Sequence, residues 1–347
     1  MNHHVQYICR QLSDIHAVLD RTTAKCRAML PKDVAFVASY EFCTIPKLPP
    51  EILDLVFGCL ERQDLVNVVL TSSTFKSVAL RLLYHTITVS DAVQSVYLLR
   101  TLVKNPTLAG LVRSLELDWS QSIRNPTRNL HILLQKAVRN LVSLHSLTLD
   151  ISKSCVWILD KCPFSLRFFS TTFRCDHHLS AFLNHQPEIT ELCLRGVPDT
   201  PLGLFMLGED EQANTEPSFA LLPTSLPKLA HLRAIHSGPR TIEMMIQGRP
   251  ITGASIPLYY WNGRASLDAL ATSTMDIKRL NLMSFDHDAP KWVLKEVAMR
   301  FPKLEALHVV VLLASCEQVS VGYFVFLMLA DPASDHAGRN LGRLVRV

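Results

Sequence analysis

No catalytic signature runs through these 347 residues. G-x-S-x-G, the phosphate loop, H-E-x-x-H and G-x-G-x-x-G are all absent. The sequence therefore lacks the nucleophile elbow, phosphate cradle, zinc-protease ligand pair and dinucleotide turn that those spacings build, and no cofactor is expected. A block of one charge is missing too. The 35 Lys and Arg are scattered among 31 Asp and Glu for a net charge of +4, which gives no electrostatic footprint for nucleic acid. The longest apolar run, Val319 to Ala330, has 12 residues, whereas a membrane-spanning helix needs about 20. A final strand over Val309 to Leu313 and a final buried helix over Val319 to Ala330 fit better, and no membrane partner is expected. No secretory n-region and h-region opens the sequence, so a lipid-anchor signal is not expected either.

Nine cysteines, odd in number and scattered, form no disulfide framework. They fit reduced, buried thiols in a cytoplasmic and/or nuclear protein. Cys155, Cys162, Cys175, His177 and His178 are the densest group of soft ligands. Their spacing matches no zinc module, and Cys155 with Cys162 at i, i+7 suits a buried helix face, so no metal site is expected.

With 48% hydrophobic and 19% charged residues, the chain can bury a sizeable core, and one small domain plus one large one is expected. The stretch from Leu48 to Val89 reads as a unit of its own. Pro50 has the φ of a first helical position and lacks the N–H that would go unpaired there, while Glu51 faces the positive end of the helix dipole. Ile52, Leu53, Val56, Phe57 and Leu60 then fall at i, i+1, i+4, i+5 and i+8, a stripe that needs a partner surface. Asp64 stands where an N-cap is wanted before Leu65, Val68 and Val69, and Ser73 can cap a third helix carrying Phe75, Val78 and Leu82. Thr86-Ile87-Thr88-Val89 changes the period from 3.6 to 2, which marks a strand.

This order of residues resembles the F-box, the module that docks onto the Skp adaptor of SCF ubiquitin ligases. The likeness rests on Leu48-Pro49, Glu51-Ile52-Leu53, Val56-Phe57, Leu60, Asp64-Leu65 and Leu82-Leu83-Tyr84. Phe75 stands where the family usually has Trp, which keeps an aromatic ring of smaller area. The resemblance implies that Leu48, Pro49, Ile52, Leu53, Phe57, Leu60, Leu65 and Val68 offer an apolar surface to the Skp adaptor, and through it to a cullin.

Ahead of this unit, Ile8, Leu12, Ile15 and Leu19 form one stripe of a helix that either packs on its own domain or supports dimerisation. Beyond Val89 the pairing of a helix with an L-x-x-L-x-L strand recurs, with strands expected at 111–117, 144–149, 166–172, 189–194, 229–234, 277–282 and 304–309. Cys162-Pro163, Gln186-Pro187, Leu226-Pro227 and Phe301-Pro302 each stop a helix just before a strand. One such unit cannot bury its own apolar face, so the units must stack, with a parallel sheet on one side and helices on the other. This pattern resembles the leucine-rich repeats that commonly follow an F-box. The expected class is α/β: residues 1–45 as helix and connector, 46–89 as F-box, 90–330 as an irregular solenoid and 331–347 as a disordered basic tail.

The repeats depart from the family pattern. Ser120, Ser152, Arg174, Val197, Ser237, Phe285 and Leu312 stand where Asn or Cys would bond the loop backbone, so uneven curvature is expected. Two gaps between strands are wide. One holds the acidic Glu209-Asp210-Glu211, and the other runs from Gly248 to Arg264 around Tyr259-Tyr260-Trp261-Asn262, either an anchor for a partner or a cover for the end of the sheet.

Strand alternation puts Glu116, Asp118, Thr148, Asp150, Ser170, Thr172, Cys193, Arg195, Arg233, Asn281 and His308 on the open face of the sheet. That face would either hold a protein target of mixed charge or simply be solvated. Together these features point to a non-catalytic, target-holding subunit of a ubiquitin ligase. A scaffold that promotes no ubiquitination, and an enzyme with an unrecognised site in the repeat loops, stay open as alternatives.

Overall fold

The structure, a computed structural model, describes residues 49–120, 127–151, 155–196, 219–235, 237–259, 262–284, 289–313, 322–329 and 344–346. The amino-terminal stripe, Leu48, the acidic insertion, Tyr260-Trp261 and most of the basic tail lie outside the described residues. The chain divides into two compact units, Met1–Ser143 and Leu144–Val347.

The first unit opens with three helices: α1 (Pro50–Gly58), α2 (Arg62–Val69) and α3 (Ser73–His85). Pro50 occupies the first position of α1 as expected. The caps differ from expectation. Glu61, not Asp64, precedes α2, and Asp64 sits in its first turn, where a carboxylate favours the helix dipole. Ser72, not Ser73, caps α3, its side chain accepting from the Phe75 backbone N–H at 3.1 Å.

Leu53 and Phe57 of α1, Leu65, Val66 and Val69 of α2, and Val78, Ala79, Leu83 and Tyr84 of α3 form the buried seam. Each large aliphatic side chain removed from water there stabilises the module by about 1.5–3 kcal/mol. Phe75 meets Phe57 edge-on, ring centroids 5.4 Å apart, so the smaller ring keeps the aromatic contact. Arg62 ties α2 to the end of α3 by donating to the Leu83 and Thr86 carbonyls at 3.0 and 3.3 Å.

The three helices hand over to β1 (Thr86–Val89), α4 (Ala92–Lys104), the single turn α5 (Pro106–Ala109), β2 (Ser114–Asp118) and α6 (Arg128–Val138). Asp91 caps α4, accepting from the Gln94 N–H at 2.9 Å. β1 and β2 pair in parallel, Ile87 opposite Leu115 and Val89 opposite Leu117. Behind them Trp119 is 1% exposed and donates from Nε1 to Ser95 Oγ at 2.8 Å. His131 of α6 packs beside the indole, and its burial lowers its pKa, an effect partly offset by a backbone hydrogen bond at Thr127.

The second unit carries β3 (Ser146–Asp150), β4 (Phe168–Thr171), α7 (His177–Asn184), β5 (Glu191–Leu194), β6 (His231–Ala234), α8 (Pro239–Ile246), β7 (Gly253–Leu258), α9 (Gly263–Leu270), β8 (Arg279–Ser284), α10 (Ala289–Arg300), β9 (Ala306–Leu313), β10 (Gly322–Leu329) and β11 (Leu344–Arg346). From β3 to β9 each strand pairs in parallel with the next. Every strand begins two residues after the first leucine or isoleucine of its motif. The residues between form a turn in which one carbonyl, such as that of Arg167, Thr190, Ala230, Thr252 or Lys278, accepts two successive N–H groups of the following unit. That repeated corner sets the register unit after unit.

Three expectations are corrected. The gap from Gly248 to Arg264 is not an open loop, because it contains β7 and the start of α9; the widest strand spacing is therefore two repeats, not one with an insertion. The expected terminal helix over Val319 to Ala330 is the strand β10, since an unbroken apolar run shows no period by which to tell helix from strand. The sheet is not parallel throughout: β10 runs antiparallel to β9, and β11, formed by three residues of the expected tail, antiparallel to β10.

Where the repeats lack the family's Asn or Cys, other side chains serve the backbone. Gln186, 3% exposed, accepts from the Leu166 N–H at 2.9 Å and donates to the Phe164 carbonyl at 3.2 Å. Arg249, 2% exposed, donates to the carbonyls of Leu222, Ser225, Met244 and Gln247. Both residues follow a helix and precede a proline, the corner where helix-end carbonyls lack partners.

Candidate functional site

Two surfaces come into question, one in each unit. On the three-helix module the apolar stripe of α1 splits into an inner and an outer part. Leu53 and Phe57, with Leu65 of α2, are buried between the helices, so these three expected contact residues hold the module together and present no surface while it stays folded. Ile52 is 43% exposed, and Pro49 lies open at the start of the helix. Leu60 and Val68 are half-buried.

The sequence reading missed Leu55 and Leu70, which are 70% and 53% exposed, and counted Val56, 51% exposed, in the apolar stripe but not among the contact residues. Ile52, Leu55 and Val56 stand at i, i+3 and i+4, so their spacing alone marks a second, outward apolar face on α1. Asp54, between these faces, is ion-paired with Arg81 of α3, which fixes how α1 lies on the bundle.

In the second unit, strand register gathers the candidates on the sheet. Thr148, Ser170, Cys193, Arg233, Ser255, Asn281 and His308 are successive register partners across β3 to β9. Ser255 joins the row because β7 fills the place taken for a loop. Glu116 and Asp118 belong to β2 of the first unit; Glu116 is exposed and accepts from Thr88 Oγ1 at 3.3 Å, and Asp118 binds the backbone and hydroxyl of Ser120.

Much of this row is already engaged. Ser170 and Cys193 are 4% and 5% exposed, covered by their neighbours, so neither can read a target as the face stands. The Thr172 hydroxyl donates to the Ile151 carbonyl at 2.8 Å and so closes the end of its strand. Asp150 and Arg195 are ion-paired at 3.1 Å, so these two charges cancel each other on the face. His308 lies 3.1 Å from Asn281 Oδ1. Arg233 remains exposed, joined by an exposed residue the sequence reading passed over, Arg279 at the start of β8. Outward parity with Asn281 was the available signal.

The soft-ligand group does not assemble. Cys155 precedes a 3-10 turn over Val156–Leu159 and not a helix, so i, i+7 places it and Cys162 on no common face. Among the described residues no three His, Cys, Asp or Glu side chains are close enough to hold a metal ion. Burial, with the Asp176 carboxylate beside it, pushes the Cys175 thiol up to about 12, so it stays protonated and is a poor ligand and nucleophile. No helix among the described residues is long and apolar enough to cross a membrane.

The two surfaces offer apolar and charged contact, which suits association with other proteins. Comparison with curated proteins gives no match. The sequence model of the F-box-like family matches residues 45–90. The three-helix module of this chain is therefore an F-box-like domain, a protein–protein interaction module.

Proposed function

We propose that the protein is the target-holding subunit of an SCF-type ubiquitin ligase: its F-box-like domain binds a Skp adaptor, and through it a cullin, while the helix–strand units hold a target protein. The observation that carries this reading is the F-box-like match together with the outward apolar face of Ile52, Leu55 and Val56 on a module whose core is already complete without them. Exposed large apolar side chains grouped on one helix face mark an interaction site. Pro49, Leu60 and Val68 border the same docking surface, and Leu48 precedes it. The reaction itself would occur on other chains; this subunit contributes proximity and orientation, the entropic share of the transfer. In this proposal residues 46–89 are the docking module, 90–330 the solenoid, and the setting is cytoplasmic or nuclear.

Co-purification of the full chain with a Skp adaptor tests the proposal, beside Ile52→Ser/Leu55→Ser/Val56→Ser. The wild type captures the adaptor and the triple variant, with an unchanged circular dichroism spectrum, does not. A wild type that captures no adaptor overturns the ligase reading and leaves the repeat units as a free-standing interaction scaffold.

A further inference from the structure

A depression on the open face of the second unit has a chemically specific lining. It lies over β6, β7 and β8 and encloses about 210 Å³. The His231 ring lies across Gly253, where a Cβ would fall 2.4 Å from the ring nitrogen, and it forms part of the floor. Ser255, two residues on, adds only a small hydroxyl. Arg233 rises on one side and Arg279 on the other, both exposed and both lining the depression. In register they stand two strands apart and two residues displaced, a separation of roughly 12 Å between backbones, close enough for two guanidinium groups to converge on one ligand atom group.

These arginines differ from the others on the sheet face. Arg195 is neutralised by Asp150. Arg233 and Arg279 form no ion pair among the described residues. Asn281 adds a donor: its carbonyl oxygen faces the His308 ring, which leaves the amide nitrogen to donate. One carboxylate, Glu191, also lines the depression. Two guanidinium charges against one carboxylate leave a single positive charge, which matches a singly charged guest. A doubly charged phosphate would leave an uncompensated negative charge beside Glu191, whereas a carboxylate brings the site to neutrality.

We infer that this depression is the subsite for an acidic side chain, Asp or Glu, of an extended peptide segment laid across the sheet. Arginine holds a carboxylate with two parallel N–H donors, and such pairs are the strong class of hydrogen bond. Neighbouring residues of an extended segment point to opposite sides, so alternate residues can enter the face while the rest stay in solvent. The inference deepens the proposed function, on which it rests, by giving the target's recognition element a chemistry.

The test uses the full chain and three fluorescein-labelled octapeptides in 150 mM salt: alternating Glu and Ser, its Gln-for-Glu counterpart, and its phosphoserine-for-Glu counterpart. Fluorescence anisotropy should show saturable binding of the Glu peptide, at least tenfold weaker binding of the Gln peptide, and no gain for the phosphoserine peptide. Arg233→Glu/Arg279→Glu should lose the Glu peptide at least tenfold, and Arg240→Glu, on a helix away from the sheet face, should not. Equal binding of the Glu and Gln peptides, an unaffected double variant, or tenfold tighter phosphoserine binding would each overturn the assignment. The double variant is also carried through Skp-adaptor co-purification. Retained adaptor with unselective peptide binding condemns the subsite alone, whereas a wild type that captures no adaptor condemns the ligase reading.

Discussion

Arg249 ties the end of α8 to the Leu222–Ser225 turn within the second unit, and replacing it should be among the most costly changes in that unit. The side chain is 2% exposed, and its guanidinium donates to Ser225 at 2.9 Å, Met244 at 2.7 Å, Gln247 at 3.2 Å and Leu222 at 3.1 Å. All four acceptors are backbone carbonyls and none is a carboxylate. Burial without a counter-charge lowers the arginine's pKa, yet a group of this basicity stays charged at neutral pH. Two of the carbonyls end α8 and two belong to the Leu222–Ser225 turn, so one planar fork joins the end of α8 to the turn that leads into β6. Arg249→Met fills a similar length but leaves four acceptors without donors. Each lost charge-assisted bond is worth about 1.5–3 kcal/mol. The losses do not add in full because the site relaxes and admits water, so roughly 3–5 kcal/mol is expected. For a unit of this size that lowers the melting temperature by roughly 10 °C. Arg249→Lys retains charge but cannot span four separated carbonyls, and should fall between. Thermal unfolding followed by circular dichroism gives the shift, and hydrogen exchange should accelerate at Ser225 and Leu229. An Arg249→Met protein within about 0.5 kcal/mol of the wild type would show that the four bonds are exchanged for water at no net cost, and the reasoning would fail.

Other residues give sharper contrasts. On α1, Leu53→Ala should destabilise the module by about 2–4 kcal/mol, whereas Leu55→Ser should leave urea unfolding nearly unchanged; equal losses would mean that the inner and outer faces are wrongly divided. The lowered pKa of His131 means that the unfolded chain takes up its proton first as the pH falls through about 6.5, so its contribution to stability is full above that pH and declines below it. His131→Gln should therefore lose less stability than the wild type between pH 7.5 and 5.5, and identical slopes would exclude this residue as a source. Gly196→Ala should destabilise by about 1–3 kcal/mol, because its Cβ would stand 2.1 Å from the Phe173 carbonyl oxygen, a backbone atom that cannot swing aside. Brief iodoacetamide treatment at pH 8, read by peptide mass spectrometry, should modify exposed Cys59 and spare Cys175; the reverse order would contradict the burial that holds the Cys175 thiol protonated.

Local chemistry was legible where a short stretch decides its own conformation. Pro50 at the first helical position and the change of period at Thr86–Val89 both stand as the sequence implied. The cap of α3 shifted by one residue to Ser72, because neighbouring hydroxyls can each accept the same orphan N–H, and Glu61 precedes α2 without a side-chain cap bond. β7 escaped notice because Gly253 and Pro257 break the leucine pattern within it, and β10 because an unbroken apolar run suits helix and strand alike.

The candidate surfaces divide along the same line. The sequence by itself determined the F-box-like stretch, the stacking of helix–strand units, and which alternate residues would share a sheet face, since each follows from period and local sterics. Only the tertiary structure decided which of those residues remain available. Whether Leu53 or Leu55 meets solvent depends on where α2 and α3 lie. Arg195 is spent on Asp150, which the parallel register sets level with it across β4, while Arg233 forms no ion pair among the described residues. The depression between Arg233 and Arg279 lies over β7, which only the tertiary register brings between their strands. Burial and charge pairing depend on contacts between residues far apart in the chain, and no window of neighbouring residues contains them.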